Sequence, residues 1–251
     1  MLLKTNGDIL IDSIKINFDT EGLWILNIAL AVIMFGVALS IKIDDFKLLI
    51  KKPKILLVGV FSQFFLLPAL TFVAILIIKP HPSFALGMMM IAACPGGNIS
   101  NFFSKMAKGN SALSVSLTAF ATVICLLMTP LNLQFYSGLY EPTNEIIKTV
   151  QLDPIELFKL VLLILGIPIV LGMFLNHYFE EISKKIEVLL KPFSIIVFLA
   201  LIVIAFYDNI DVFLNYIHLV AGLVIFHNIG AYCIGFYTAK TFGLEKRDRK
   251  T

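Results

Sequence analysis

Apolar residues come in long runs separated by short clusters of charge. About 20 apolar residues suffice for a helix to cross a bilayer. On that measure the pattern predicts seven spans: Leu23–Ile43, Ile55–Ile78, Phe84–Ala107, Leu113–Phe135, Ile155–Leu175, Pro192–Tyr207 and Phe213–Ala239. The charged residues fall between them. The charge pattern of Glu180 to Leu190 predicts a short interfacial helix before the sixth span. The first residues alternate charges with short apolar groups and hold no apolar core of a cleavable signal. The first span is therefore expected to direct insertion, and residues 1–22 read as an extracytoplasmic segment on the charge bias given below.

The third run is interrupted by Cys94-Pro95-Gly96-Gly97-Asn98-Ile99-Ser100-Asn101. Pro95 has no N–H to donate, and Gly96 and Gly97 weaken helical continuity further, so an arriving helix should break there. Irregular backbone survives at membrane depth only inside protein or along a watery cavity. Broken helices at the midplane are where secondary transporters hold substrate and coupling ion. A plain proline kink is the bland alternative. It does not account for Asn98, Ser100 and Asn101 crowded behind two glycines.

Composition agrees with the pattern. The chain is 59% hydrophobic and 15% charged, with a mean hydropathy of +0.92, which marks an integral membrane protein. Fifteen of the 20 Lys and Arg residues fall on one set of connections and on the tail after residue 239. The bias predicts the N-terminus outside and residues 240–251 as a basic cytoplasmic loop. The net charge of +3 is thus a topology signal, with no nucleic-acid partner implied. Cys94, Cys125 and Cys233 have neither paired nor metal-ligand spacing and read as small packing residues. Zinc, nucleophile-elbow and Walker-type signatures are missing, so neither an enzyme nor an ATP-driven pump is expected.

A desolvated small cation needs several oxygen ligands. Ser100 and Asn101 open the second half of the broken span, and Ser114 and Thr118 lie four apart on one face of the next. A tight Lys108-Gly109-Asn110 turn joins the two, so together they offer four side-chain oxygens to one ion. The competing role of Ser114 and Thr118 is bonding to their own i−4 carbonyls. Gln63, an amide among Phe61, Phe64 and Phe65, either joins two helices or serves as a second cation ligand. His227 and Asn228 read first as helix–helix hydrogen-bonding groups, and His227 alternatively as a proton relay. With Asn98, they are the polar positions expected to face substrate.

Lys54 to Gly59 leads to Gln63, much as His218 to Gly222 leads to His227. The second and seventh spans enter the membrane from opposite sides, the arrangement of an inverted repeat. The repeat predicts two further spans beyond Thr251.

Lys52-Pro53-Lys54, Gln63 with Pro68, Cys94-Pro95-Gly96-Gly97 and Ser100-Asn101 together resemble the bile acid:sodium symporter family. The likeness continues through Ala107-Lys108-Gly109-Asn110, Leu113-Ser114-Val115, Thr118 and His227-Asn228, in order from about Val32 onward. The resemblance implies an all-α inverted-repeat transporter with panel and core domains and discontinuous crossing helices. Panel spans would be 23–43 and those within 155–207; core spans would be those within 55–135, broken at 94–101, and 213–239. It also implies a first sodium site from Ser100, Asn101, Ser114 and Thr118, a second using Gln63, and an organic anion near Asn98. In the family a glutamate shared by both sodium sites follows the basic loop. These 251 residues stop before it, so the cation site is expected to be incomplete within them. The expected function is sodium-coupled import of a small organic anion at the inner membrane, with sodium as coupling ion and no cofactor. The alternatives are a proton-coupled carrier using His227, or a seven-span receptor.

Overall fold

The structure, a computed structural model, describes residues 20–41, 47, 49–97, 99–149, 159 and 162–251. It is helical, and no strand occurs among the described residues. Helix α1 spans Thr20–Ala38, α2 Pro53–Ile78, α3 Pro82–Ala93 and α4 Ile99–Met106. Helix α5 spans Ser111–Leu139, α6 Glu141–Thr149, α7 Leu162–Tyr178, α8 Glu180–Asp208 and α9 Ile210–Thr241. A 3₁₀ turn over Asp248–Lys250 follows. By length and apolarity, α2, α5, most of α8 and the Val220–Thr241 part of α9 are long enough to cross a bilayer; α1, α3 and α7 contribute shorter apolar helices. The fifth predicted span, Ile155–Leu175, is described only from Leu162 apart from Lys159, and Ile43 also lies outside the described residues.

Local sequence explains the boundaries. Pro53 and Pro82 occupy first-turn positions, where a missing N–H costs nothing. Helix α2 ends at Lys79, which takes a left-handed conformation with φ of 49° and donates to the Ile75 carbonyl at 2.8 Å. Two helices contain a wide π turn, Ser62–Leu66 in α2 and Leu162–Gly166 in α7. Each closes two residues before a proline, Pro68 and Pro168. A proline ring collides with the carbonyl four residues back, and widening the turn relieves the collision.

Glu180 to Leu190 is not a separate interfacial helix. It runs unbroken through Pro192 into the sixth predicted span. Proline interrupts one backbone bond and is tolerated in membrane helices, and the helix-forming residues on either side carry the turn across it. Helix α6, which the apolar pattern did not reveal, is tied back to α5 by Thr143. Its hydroxyl donates to the carbonyls of Ser137 at 2.7 Å and Tyr140 at 2.8 Å. Of the three cysteines only Cys125 is a buried packing residue; Cys94, at a helix end, and Cys233 are exposed.

The helices pack in two groups. Helix α1 lies against α7 and α8, which also touch each other. There the backbones approach closely: a Cβ on Gly172 would sit 2.5 Å from the Ala38 Cβ. Beyond the end of α1, the carbonyls of Ile41 and Leu39 accept from Asn176 at 2.9 Å and Ser183 at 3.4 Å. The second group comprises α2, α3, α4, α5 and α9, with α3 and α4 packed on α5, and α9 against α2. Many large apolar side chains, among them Ile77, Val188 and Leu199, point outward, as a lipid-facing surface requires.

Candidate functional site

Helix α3 stops at Ala93, where Cys94 turns extended with φ of −77° and ψ of 152°. Residues 94–97 are non-helical, and α4 starts at Ile99. The break leaves the last carbonyls of α3 without their helical donors, since Pro95 has none to give. Two side chains from neighbouring helices supply them. Thr129 of α5 donates to the Ala93 carbonyl at 2.7 Å, and Gln63 of α2 donates through Nε2 to the Cys94 carbonyl at 2.9 Å. Gln63 stands in the π turn. Asn132 of α5 props the same turn by donating to the Phe64 carbonyl at 2.9 Å, the group that Pro68 would otherwise leave empty. Cβ atoms on Gly96 or Gly97 would meet nothing within 4 Å, so the broken segment borders open space.

On the far side of the break, the Ser100 hydroxyl turns back to the Gly97 carbonyl at 2.7 Å. Asn101, one residue on, accepts two hydroxyls at its Oδ1: Ser114 Oγ at 2.7 Å and Thr118 Oγ1 at 3.2 Å. The same helix shows what these hydroxyls forgo. Ser116 and Thr122 donate to the carbonyls four residues back, Ala112 at 3.0 Å and Thr118 at 2.8 Å. Ser114 and Thr118 are instead drawn across to α4, so three oxygens from two helices meet at one point.

The connecting corner fixes that meeting. Lys108 adopts a left-handed conformation with φ of 56°. Gly109 N–H bonds the Ser104 carbonyl at 2.8 Å, and Lys108 N–H that of Lys105 at 3.0 Å, the paired bonds of a Schellman ending. Asn110 then caps α5, its Oδ1 accepting from Leu113 N–H at 3.2 Å.

The structure brings Asn101, Ser114 and Thr118 together and sets Gln63 at the end of the break, while Ser100 serves the backbone of the break itself. Asn98 lies outside the described residues. His227 is buried and shares a hydrogen bond with Thr71 of α2, Nε2 to Oγ1, at 2.9 Å. Asn228, exposed, donates to the carbonyl of Val224 at 2.8 Å. Among the described residues no cluster of His, Cys, Asp or Glu is arranged to hold a metal ion. Thr129 and Asn132 were not identified from the sequence. Their only signal was polarity within an apolar run, beside Pro130.

A bundle of apolar helices, one broken at a Pro-Gly-Gly whose free carbonyls are taken up by neighbouring side chains, is that of a multi-pass membrane protein. The chain belongs to the Sodium Bile acid symporter family, whose sequence profile matches residues 27–216. It is 30% identical over 225 residues to the "Uncharacterized sodium-dependent transporter YocS" of Bacillus subtilis (strain 168), an alignment covering 90% of this chain and 67% of that protein. It is 29% identical over 168 residues to the "Probable sodium/metabolite cotransporter BASS1, chloroplastic" of Arabidopsis thaliana, covering 67% of this chain and 40% of that one. To the human "Ileal sodium/bile acid cotransporter" it is 29% identical over 225 residues, covering 88% of this chain and 62% of that one. The chain thus spans between 40% and 67% of the length of these relatives.

Proposed function

We propose that this chain carries the first cation site of a sodium-coupled symporter that imports a small organic anion by alternating access. The observation that carries the reading is the convergence of Ser114 Oγ and Thr118 Oγ1 on Asn101 Oδ1 beside the broken helix. Three hard oxygens suit a small alkali cation. A hydroxyl rotates freely, so both can turn their lone pairs toward an ion. Ser100 adds a fourth oxygen by releasing the Gly97 carbonyl, and Gln63, at the end of α3, stands where a second ion would contact the break. The names of the relatives, sodium-dependent in one case and sodium/bile acid or sodium/metabolite cotransporters in the others, point the same way.

In this reading α1, α7 and α8 form the panel, and α2 to α5 with α9 form the core. Motion of one against the other exposes the break to either side of an inner membrane, with the N-terminus outside and residue 251 cytoplasmic. Substrate enters near Asn98, and its negative charge is met by the N-terminal end of α4. His227 and Asn228 are the polar positions that α9 would offer toward substrate. In this reading the bond from His227 to Thr71 ties α9 to α2.

The test is uptake by the native full-length gene product in proteoliposomes. Replacing external sodium with choline should abolish accumulation of a carboxylate substrate. Asn101→Ala should raise the sodium concentration for half-maximal uptake by about tenfold or more, and Cys125→Ala should leave it within about twofold. Uptake indifferent to choline replacement would end the sodium reading.

A further inference from the structure

The segment after α9 folds back onto the corner between α4 and α5. Asp248 is 8% exposed, and its Oδ1 accepts from Asn110 Nδ2 at 2.9 Å. Thr251 Oγ1 accepts from the Asn110 backbone N–H at 3.2 Å. Lys250 Nζ donates to the Ala107 carbonyl at 3.1 Å. Contact at Gly109 is close enough that a Cβ there would lie 2.9 Å from the Lys250 carbonyl oxygen. The segment is itself anchored. Arg249 Nε donates to the Leu244 carbonyl at 2.6 Å, and Leu244 is buried in an apolar cluster with Leu113, Val58 and Ala239.

Asn110 is the hub of these contacts. Its Oδ1 takes the Leu113 N–H and its carbonyl takes the Ser114 N–H at 2.9 Å, so it fixes the first turn of α5. Ser114 stands on that turn and Thr118 on the next. A carboxamide has one acceptor end and one donor end, and Asp248, by holding the donor end, leaves the oxygen facing Leu113. A buried carboxylate is a costly choice if all that is required is to fasten a loop. Its single described side-chain partner is Asn110, which caps the helix that carries Ser114 and Thr118.

We propose that Asp248 is a positioning residue for the sodium site: through Asn110 it sets the start of α5 so that Ser114 and Thr118 meet Asn101, tying the end of α9 to cation binding. This inference rests on the sodium reading above.

The experiment exchanges the two ends of the bond. Asn110→Asp keeps a capping oxygen for α5 but sets one carboxylate against another. Asn110→Asp with Asp248→Asn restores the bond with donor and acceptor reversed. The readout is the melting temperature of the native full-length gene product in detergent, titrated with sodium chloride against choline chloride at constant ionic strength. Asn110→Asp should raise the half-saturating sodium concentration by about tenfold, and the exchange should return it to within about threefold of wild type. Asp248→Ala, which removes the acceptor without adding charge, should match Asn110→Asp and supplies the comparison if that variant does not fold. Asn176→Leu, which breaks a buried bond in the other helix group, should lower the melting temperature in choline and leave half-saturation alone. If Asn110→Asp or Asp248→Ala lowers the melting temperature in choline yet keeps wild-type half-saturation, Asp248 is structural only and the inference falls. An exchange no better than the single variant also overturns it. A wild-type protein that sodium does not stabilise over choline would instead overturn the sodium reading, and this inference with it.

Discussion

A hydroxyl in a membrane helix has two outlets, its own helix or another. In α5 the choice is divided by position. Ser116 and Thr122 bond their own carbonyls, Ser114 and Thr118 reach Asn101, and Thr129 reaches the Ala93 carbonyl. Spacing alone put Ser114 and Thr118 on one face, and the short corner after Ala107 put Asn101 within reach, so the meeting of these three side chains was legible in the sequence. Thr129 was not, because nothing in its neighbours says which carbonyl of a broken helix will need a donor. The two kinds of hydroxyl should respond differently to removal. Thr129→Val leaves a buried acceptor empty and should cost about 0.6–2 kcal/mol of stability in detergent unfolding. Thr122→Val removes only a local bond that competes with the helix and should cost less than about 0.5 kcal/mol. Equal losses would mean that the carbonyl at the break is satisfied by water.

The elements were easier to place than their irregularities. Long apolar runs marked the apolar helices, four of them long enough to cross a bilayer where seven spans were expected, and Pro95 with two glycines marked the break. The wide turns in α2 and α7 escaped, because a π turn is a local answer to a proline collision, and the phase shift it makes cannot be read in helices that are apolar on nearly every side. The same blindness made Pro192 look like a boundary when α8 passes straight through it. Small residues matter at this scale too. Gly172 lets α7 approach α1 until a Cβ would lie 2.5 Å from the Ala38 Cβ and 3.0 Å from its carbonyl carbon. Backbone cannot yield as a side-chain tip can. Gly172→Ala should therefore separate the two helices at a cost of about 1–3 kcal/mol, seen as a lower melting temperature. Gly222→Ala, where a Cβ meets nothing within 4 Å, should be neutral or slightly stabilising.

At the scale of the molecule, the described helices form two packing groups joined by few contacts, α5 with α7 and α8 with α9. Hydrophobic patterning identified the long apolar helices without saying which would group together, because each of those is apolar enough to face lipid. Sparse polar bonds mark the grouping: Asn176 and Ser183 to the chain beyond α1, Gln63 to the break, His227 to Thr71. Asp248 shows the same limit, since a charge in a basic loop reads as solvated until its partner on another helix is seen. The outward apolar faces carry their own expectation. Leu199 is 54% exposed in the middle of the sixth predicted span, and Leu199→Arg should add about 2.5–3.5 kcal/mol to the insertion cost of α8. Membrane-inserted yield in a translocation assay should drop accordingly, and an unchanged yield would show that this face does not meet lipid.

Helix α2 has to satisfy two partners on different sides. Gln63, in the π turn, reaches the broken end of α3, and Thr71, two turns on, reaches His227 of α9. Each residue advances an α-helix by about 100°, so the extra residue held in Ser62–Leu66 resets the angular phase between the two faces. Closing that turn to a regular one would rotate one half of α2 against the other, and one of the two bonds would have to break. The wide turn thus works as an offset, one residue of rotation stored between the end of α2 that meets α3 and the end that meets α9.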